Sequence, residues 1–492
     1  MLRFGAKAPV ARAAASHKMR LFVRFVILFA CSLYTQTVMC RDAHAELPKK
    51  PNIIFIMVDD LGWKDVGYHG SDIKTPSLDK LAQTGAKLEQ HYAMPMCTPT
   101  RAALMTGRYP MRYGLQIGVI PGAGTYSLAM DEYLLPQMLK DAGYKTYMSG
   151  KWHLGHAKKE FYPNNRGFDS FYGATVGEID HFKHASHGVD DWYRNDNPLK
   201  EEGFDNSLFG AEAVRLIEAH DTNDPMFLYL AFTAPHTPFQ APQEYLDRYP
   251  SIIDANRKAY AAMISVVDDE VGKVVAALEK KGMRDNTLIV FSSDNGGVRS
   301  SMFAGDSKVE GGLPASNAPY REGKGTTYEG GTRVAAFANW PGHIKAGVVN
   351  QPLHMVDWYP TFAKLAGATP TKNKPLDGMD VWSTVSKGAP SPRKEMLYNV
   401  DPMGGALRMG DWKLVWKASL PPKVELFDLK SDPSEAKNLA TGNQEKVALL
   451  QHRLTELAAQ MAPPLLLMEA VRLTYFVPPV SADPSVVLSG GD

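Results

Sequence analysis

Short apolar runs alternate with amphipathic segments along most of the chain. "PNIIFIMVDD", "PMFLYLAFTAPH" and "NTLIVFSSDNGG" each hold a continuous apolar stretch bounded by turn or polar residues, which is typical of strands buried on both faces. Between them, "SLFGAEAVRLIEAHD" and the run from Ile252 to Lys281 carry apolar residues at helical spacing. This alternation predicts an α/β domain with a mostly parallel sheet flanked by helices.

The pattern changes after about residue 385. "EMLYNV", "ALRMGDWKLVWKA" and "KVELFDL" predict short antiparallel strands, and "NQEKVALLQHRLTELAAQM" predicts an amphipathic helix. We therefore expect a large α/β domain over residues 46–385, a smaller C-terminal α+β subdomain over residues 386–475 and a loose tail over residues 476–492.

The N-terminus has the features of a secretory signal. Five basic residues and no acid precede the apolar run "LFVRFVILFACSLY", and an A-x-A site lies at Ala43–Ala45. Residues 1–45 are therefore expected to be removed on export, with Met1 or Met19 as the start; the alternative is an uncleaved anchor. The apolar run is short and contains Arg24, so a stable membrane span is not expected.

Composition restricts the possible binding partners and the cellular location of the protein. The net charge is +1, from 54 basic and 53 acidic residues, so no nucleic-acid partner is expected. The sequence has no N-x-[ST] sequon, which favours a bacterial periplasmic or secreted protein over a lysosomal one. Cleavage after Ala45 would remove Cys31 and Cys40 and leave Cys97 as the one cysteine. Such an odd cysteine is either an inert buried thiol or a functional one.

Polar side chains follow several predicted strands. In chain order they are Asp59 and Asp60, Lys151 and His153, His236, and Asp294 and Asn295. The carboxyl ends of parallel strands meet at one edge of the sheet, where ligands bind. The oxygen ligands of the two acidic motifs suit Ca²⁺ or Mg²⁺ better than zinc. The alternative is that each motif only fills a turn.

Cations and histidines accompany these carboxylates. Arg101, Lys151 and Lys324 are candidate cations, and His153 and His236 are candidate proton donors or acceptors. Lys324 lies in a glycine-rich loop that lacks the spacing of a phosphate-binding P-loop. A metal with several cations around a nucleophile is the arrangement that hydrolysis of a tetrahedral oxyanion ester requires.

The stretch "CTPTRAALMTGRYP" resembles the signature of the type I sulfatases, Cys-x-Pro-x-Arg followed by a small-residue helix. The likeness extends in the family's order through "VDDLGWKDVGYHG", "GKWHLGH", "APHTPF", "FSSDNGG" and "GKGTTYEGG". It covers residues 50–345 strongly and is most similar to the arylsulfatase B, or N-acetylgalactosamine-4-sulfatase, group. The resemblance implies an alkaline-phosphatase-like fold, with a large mixed sheet, and a sulfuric ester hydrolase that acts on an aryl sulfate or a sulfated sugar.

The resemblance also gives Cys97 a role. In such sulfatases a dedicated formylglycine-generating enzyme oxidises this cysteine to formylglycine, an aldehyde that hydrates to a geminal diol. One hydroxyl attacks sulfur to form a sulfate ester, and the second then drives the elimination of sulfate. Thr100 stands where the family often has serine.

The other roles follow the family's motifs. The resemblance implies that a cation, Ca²⁺ in preference to Mg²⁺, also touches the modified Cys97 and is held by Asp59, Asp60, Asp294 and Asn295. It implies that Arg101 and Lys151 orient the diol, that His153 takes the proton that releases sulfate and that His236 protonates the leaving oxygen. It also implies that Lys324, with Lys151 and His236, binds the substrate.

Two other functions stay open at this point. One is hydrolysis of phosphate or phosphonate esters by another enzyme of the alkaline phosphatase superfamily, and the other is sulfated-glycan binding without turnover. Residues 176–196 are expected at the pocket rim, where His181, Lys183, His184 and Trp192 either contact a sugar or are ordinary surface residues.

Overall fold

The computed structural model describes residues 50–305, 308–369, 372 and 374–474. The predicted signal, with Cys31 and Cys40, and the predicted tail over residues 476–492 lie outside the described residues. The strands are Asn52–Val58 (β1), Ala86–Leu88 (β2), His91–Tyr92 (β3), Lys145–Gly150 (β4), Ser170–Gly173 (β5), Ala185–Ser186 (β6), Val189–Asp190 (β7), Tyr193–Arg194 (β8), Asn197–Pro198 (β9), Met226–Ala231 (β10), Thr287–Ser293 (β11), Ala336–Asn339 (β12), Gly347–Val349 (β13), Leu353–His354 (β14), Glu395–Asp401 (β15), Gly404–Met409 (β16), Trp412–Lys417 (β17) and Lys423–Asp428 (β18).

The α-helices lie between these strands and after them. They are Pro76–Thr84 (α1), Cys97–Thr106 (α2), Leu135–Asp141 (α3), Asp205–Ala219 (α4), Gln243–Leu246 (α5), Ala255–Lys280 (α6), Glu329–Thr332 (α7), Trp358–Leu365 (α8), Trp382–Lys387 (α9), Gln444–Ala458 (α10) and Leu465–Thr474 (α11). No helix of the described ranges is long and apolar enough to cross a membrane.

The main sheet has ten strands in the order β13-β2-β12-β11-β1-β10-β4-β5-β8-β9. Its centre, β11-β1-β10-β4-β5, is parallel throughout, while β12, β8 and β9 pair antiparallel with their neighbours. The sheet is thus mixed and mostly parallel at the centre, as expected. The carboxyl ends of β11, β1, β10 and β4 are therefore brought to the same edge.

Helices cover both faces of this sheet. One buried cluster packs Phe55 and Tyr229 against Trp358 and Phe362 of α8, and the other packs alternate residues such as Ile56 against α4 and α6. The central strands are apolar at nearly every position because both faces are covered. Helix α6 begins three residues after the predicted start.

The C-terminal strands β15 to β18 form a separate four-stranded antiparallel sheet. Helix α10 packs Leu450, Leu454 and Leu457 onto this sheet. The predicted strands and helix are therefore present. The predicted boundary after residue 385 falls inside α9, so the division into two domains stays a prediction.

Candidate active site

The structure brings the polar strand ends together. Asp59 and Asp60 follow β1 directly, Asp294 follows β11, and Lys151 follows β4. His236 is not at a strand end, because β10 stops at Ala231 and four residues separate it from this histidine. The backbone N–H of Asp60 donates to Asp294 Oδ1 over 3.2 Å, which joins the ends of β1 and β11.

Cys97 is the first residue of α2, whose ten residues are all buried. Its Sγ lies 3.3 Å from Asp59 Oδ1. Arg101 lies one turn further along α2 and therefore shares a face with Cys97. The hydroxyl of Thr100 donates to Met94 O over 3.1 Å, so this threonine anchors the start of the helix. The helix N-terminus also favours negative charge near Cys97.

Three cations pair with the three carboxylates. The Lys151 ammonium donates to Asp59. Arg101 Nη2 lies 2.9 Å from Asp294 Oδ2 and 3.6 Å from Asp59 Oδ2. Lys324 Nζ lies 2.8 Å from Asp60 Oδ2. At most 4% of any of these six residues is exposed, so their interactions are weakly screened by solvent.

These neighbours shift the acidity of the buried groups. Burial would raise the pKa of Asp59, but Lys151 and the other nearby cations hold it well below the ordinary carboxyl value. Burial and the Asp59 charge raise the pKa of Asp294 to about 7. Burial, Asp294 and Asp59 raise the pKa of Cys97 well above the ordinary thiol value. The unmodified thiol is therefore protonated and a poor nucleophile.

The two histidines face the same pocket in different ways. His153 has φ of 58°, and its Nε2 lies 3.0 Å from Ile120 O. Its buried Nδ1 has no hydrogen-bond partner among the described residues. His236 Nδ1 lies 2.9 Å from Thr237 O, which leaves Nε2 3.5 Å from Asp60 Oδ2. Burial is the main cause that lowers the pKa of both imidazoles.

Asp60 has φ of 65°, a left-handed conformation that is costly for a residue with a side chain. Asn295 Nδ2 donates to Asp60 Oδ1 over 2.7 Å and supports this turn. Strained backbone of this kind at two residues, Asp60 and His153, around one pocket is characteristic of functional sites.

A pocket of about 170 Å³ opens above these groups. Four of the predicted site residues line it, namely Cys97, His153, His236 and Lys324. Asp59, Asp60, Arg101, Lys151, Asp294 and Asn295 do not line it. Sequence reasoning predicted part of its walls, since Val176–Glu178, Ser186 and His187 lie in the expected rim over residues 176–196. It missed the others, which are Met96, Val119–Gly122, Met302, Phe303 and Gly305.

The buried donor set has the composition of a metal site, although it includes His236, which was not predicted as a ligand, and does not include Asp294. Ligand atoms of Asp59, Asp60, Cys97 and His236 all lie within 4.8 Å of one another. Asn295 Oδ1 is buried without a hydrogen-bond partner in the described part of the chain. A bound cation would satisfy this oxygen, and carboxylate and amide oxygens are the ligands that Ca²⁺ and Mg²⁺ prefer.

Asp294 is held differently from the other predicted ligands. Its Oδ2 accepts from Arg101 and its Oδ1 accepts from the Asp60 N–H. Each of its oxygens therefore has a protein donor, with a second lone pair left for an ion.

The structure contradicts one expectation about the predicted rim loop, residues 176–196. His181, His184 and Trp192 are at most 3% exposed, so they are neither surface residues nor available to a sugar. His184 stacks on Trp192 with ring centroids 4.1 Å apart, and His181 bonds to Asp205. Lys183 is the one residue of the four that is exposed.

Comparison with known proteins gives a consistent result. A family model described as Sulfatase matches residues 51–368. Mouse arylsulfatase J is 41% identical over 80% of this chain and 64% of its own length, so the chain spans just under two thirds of that relative. Mouse N-acetylgalactosamine-6-sulfatase is 35% identical over 75% of this chain and 72% of its own.

Solved structures agree with these relatives. The crystal structure of Ps i-CgsB in complex with k-i-k-neocarrahexaose matches with a TM-score of 0.78 and 34% identity, over 88% of this chain and 98% of that one. The predicted alkaline-phosphatase-like fold, with its large mixed sheet and small C-terminal sheet, is confirmed.

Proposed function

Because this chain belongs to the sulfatase family, the sulfuric ester hydrolases, we propose that it removes sulfate from a sulfated sugar through a formylglycine made from Cys97. One observation carries the proposal. Cys97 lies at the N-terminus of α2, on the floor of the pocket, with Lys324 and His236 beside it in the same lining. Cationic and proton-donating groups thus surround the one position that the modification would turn into a nucleophile.

The modified side chain would supply what the thiol cannot. Hydrated formylglycine offers one hydroxyl that attacks sulfur and a second that releases sulfate afterwards. Arg101 and Lys151 orient the diol from below, since both lie next to Asp59, whose Oδ1 is 3.3 Å from Cys97 Sγ. A formylglycine-generating enzyme is therefore a required partner in maturation.

The remaining side chains act on charge and protons. Lys324 binds sulfate oxygens and stabilises the charge that develops on them. His236, once protonated at the Nε2 that faces the pocket beside Asp60, donates that proton to the leaving sugar oxygen. His153 takes the proton that accompanies release of sulfate, through the Nδ1 that has no partner among the described residues.

Asp59, Asp60, Asp294 and Asn295 would hold Ca²⁺, in preference to Mg²⁺, beside the modified Cys97. The unpartnered Asn295 oxygen and the left-handed turn at Asp60 support this ligand set. When bound, the ion would offset the negative charge of the sulfate and the carboxylates. Exhaustive chelation should remove most turnover, and Ca²⁺ should restore it better than Mg²⁺; full activity after chelation would contradict the site.

A sulfated sugar is the proposed substrate class. Two relatives carry sugar names, N-acetylgalactosamine-6-sulfatase and a carbohydrate complex of Ps i-CgsB. The predicted arylsulfatase B-like subgroup and export to a bacterial periplasm or the medium belong to the same proposal. Turnover of a panel of sugar sulfates and of 4-nitrophenyl sulfate tests the class directly.

The decisive experiment concerns Cys97. Trypsin should release residues 88–101, "LEQHYAMPMCTPTR", and in active protein this peptide should be lighter than the cysteine form and react with a hydrazide. Cys97→Ala should remove turnover and leave the fold intact, and Cys97→Ser should be inactive unless the host carries a serine-type maturation enzyme. If fully active protein had one thiol per chain at Cys97 that could be alkylated, this result would contradict the mechanism.

The same preparation separates the rival functions. Faster turnover of an aryl phosphonate than of the matched aryl sulfate would favour a phosphonate hydrolase. Retained affinity for a sulfated glycan, with an unmodified thiol and no turnover, would favour a binding protein.

A further inference from the structure

A second pocket adjoins the one above Cys97. Its volume is about 340 Å³, and it is lined by Glu178, Ile179, Asp180, Lys183, Ala185–Gly188, Pro238 and Gln240. Glu178, Ser186 and His187 line both pockets. The second pocket therefore begins where the first ends, on the hairpin formed by β6 and β7.

The volumes of the two pockets indicate which part of a substrate each pocket can hold. Small-molecule sites usually measure about 300–1,000 Å³, and the pocket above Cys97, at about 170 Å³, is smaller than that. It suits a sulfate group and the ring that carries it. A glycan chain attached to that ring extends beyond this pocket, and the second pocket is the adjoining space.

The loop that forms the second pocket is held in place before any ligand binds. Asp180 Oδ1 accepts from Lys183 N over 2.8 Å, and Asp180 Oδ2 accepts from Gln240 Nε2 over 3.0 Å. Asp180 N donates to Ala185 O over 2.9 Å and closes the turn. Pre-formed loops of this kind lose little entropy when a ligand binds.

The lining has the chemistry of a sugar site. Pro238 offers apolar surface to the C–H face of a ring, and the exposed Lys183 offers a cation. The lining also carries two carboxylates, Glu178 and Asp180. The oxygens of Asp180 already accept hydrogen bonds from the loop and Gln240, and the exposed Lys183 is the lysine of this lining whose ammonium can meet an anion.

We propose that this second pocket binds the sugar residue next to the one that carries the scissile sulfate, and that it selects an anionic residue, sulfated or uronic. The inference rests on the proposed sugar sulfatase function and names its substrate as an oligosaccharide. Lys183 is then a specificity-determining residue, whereas the groups around Cys97 are shared by all sulfate esters.

The test compares substrates that carry the same sulfate on chains of different length. The probes are N-acetylgalactosamine sulfates and the oligosaccharides of chondroitin sulfate that contain them, with the carrageenan series in parallel and 4-nitrophenyl sulfate as the reference. We expect kcat/KM about tenfold higher on the oligosaccharide than on the monosaccharide, an effect equal to one well-made contact. Lys183→Ala should reduce that preference about fivefold, as for the loss of an exposed ion pair, mainly through KM.

Lys430→Ala is the matched control, since Lys430 is also an exposed lysine but follows β18. Sulfatase activity with equal kcat/KM on monosaccharide and oligosaccharide would overturn this inference and leave the proposed function standing. An unmodified Cys97 and no turnover of any sulfate ester would overturn the proposed function and this inference with it.

A different observation concerns the support of His236. His181 is 1% exposed, with Nδ1 2.9 Å from Asp205 Oδ2 and Nε2 3.1 Å from the carbonyl oxygen of His236. Thr233 Oγ1 donates to the same Asp205 oxygen over 2.5 Å. Asn206 Oδ1 accepts from the N–H groups of Thr233 and Ala234.

The segment that leads from β10 to His236 is therefore tied down at several points by α4 and the rim loop. The structure assigns to His181 the part of a positioning residue, which holds the His236 backbone so that its Nε2 faces the pocket. His181 lines neither pocket itself, and its effect passes through His236.

Leaving-group dependence distinguishes positioning from mere stability. His181→Ala should lower kcat about tenfold on a sugar sulfate, whose leaving oxygen needs a proton, and much less on 4-nitrophenyl sulfate, whose leaving group does not. The control is His184→Ala, a buried histidine of the same loop that bonds to Gly203 O instead. Equal losses on both substrates, or the same profile for both variants, would overturn the assignment.

Discussion

The charged cluster below the pocket and the charged cluster below the C-terminal sheet are both buried and use the same kinds of residue. The site cluster comprises Asp59, Asp60, Asp294, Arg101, Lys151 and Lys324. The sheet cluster comprises Glu329, Glu435, Arg333 and Lys413. In the sheet cluster, Lys413 Nζ lies 2.9 Å from Glu329 Oε1 and 2.8 Å from Glu435 Oε1.

The difference between the clusters lies in their surroundings. The hydroxyls of Tyr92 and Tyr398 donate to the two oxygens of Glu329, over 2.7 and 3.2 Å, so each oxygen of this carboxylate accepts a hydrogen bond from within the protein. Beside the site cluster, Asn295 Oδ1 and His153 Nδ1 are buried without partners in the described ranges, and a pocket opens there.

Buried charge alone therefore does not mark a function. Glu435 Oε1 in the sheet cluster also has no hydrogen-bond partner in the described ranges, but it lies 2.8 Å from Lys413 Nζ, so the difference is that the unpartnered atoms of the site cluster adjoin a pocket.

The largest effect should come from breaking the site cluster. Asp294→Asn removes the charge that holds Arg101 and is close in shape, so kcat/KM for a sulfate ester should fall by about 10³, the scale of losing one key electrostatic group. Unfolding measured under chelation should change little, because the substitution also relieves repulsion from Asp59. A variant that unfolds readily but retains turnover would reverse the functional and structural assignments of the clusters.

The strand ends were predictable because their signal is local. The carboxyl ends of parallel strands meet at one edge of the sheet. A buried apolar run followed by Asp59-Asp60 or Asp294-Asn295 therefore places carboxylates at that edge, whatever conformation the loops adopt. The sheet cluster was not predictable, since Glu329 and Lys413 are 84 residues apart and the motif "GKGTTYEGG", which contains Glu329, gives no sign of a partner in the C-terminal sheet. The pocket walls and the two-residue strands β8 and β9 have no periodicity to read. His181 was misread because its polar type suggested a rim, while its partner Asp205 lies on a separate element.

Breaking the sheet cluster should lower stability and leave chemistry alone. Lys413→Met leaves Glu329 and Glu435 without their common cation, and removing one partner of a buried ion pair costs about 3–5 kcal/mol. Urea unfolding should show this loss, while kcat per folded molecule stays close to the wild-type value. Lys417→Met is the control, because Lys417 is an exposed residue of the same strand. A large fall in kcat for Lys413→Met would mean that this cluster serves the site.

A single methyl group can disturb the site without touching its charges. A Cβ on Gly177 would lie 2.3 Å from His153 Cε1 and 2.4 Å from Nε2, so Gly177→Ala must displace the imidazole. We expect turnover to fall about tenfold to a hundredfold, the range for a misplaced catalytic group, with little change in unfolding. Gly312→Ala has open space around its Cβ and should behave as wild type; if both variants keep full turnover, His153 does not act in the rate-limiting step.

The smallest expected effect is on the pH dependence of the free energy of unfolding, to which the sheet cluster contributes. Burial raises the pKa of Glu435 to about 7, against the lowering influence of Lys413, from an ordinary value of 4.5. Between these two values the folded chain keeps a proton that the unfolded chain has lost, so raising the pH across this window lowers the free energy of unfolding. Glu435→Gln cannot lose that proton and should flatten this part of the stability–pH curve. Other buried carboxyls also contribute to the wild-type curve, so the measured quantity is the difference between the two curves. Glu445→Gln, at an exposed position of α10, should keep the wild-type slope; an unchanged slope for Glu435→Gln would mean that Lys413 keeps this carboxyl ionised throughout, as cations do for Asp59 in the site cluster.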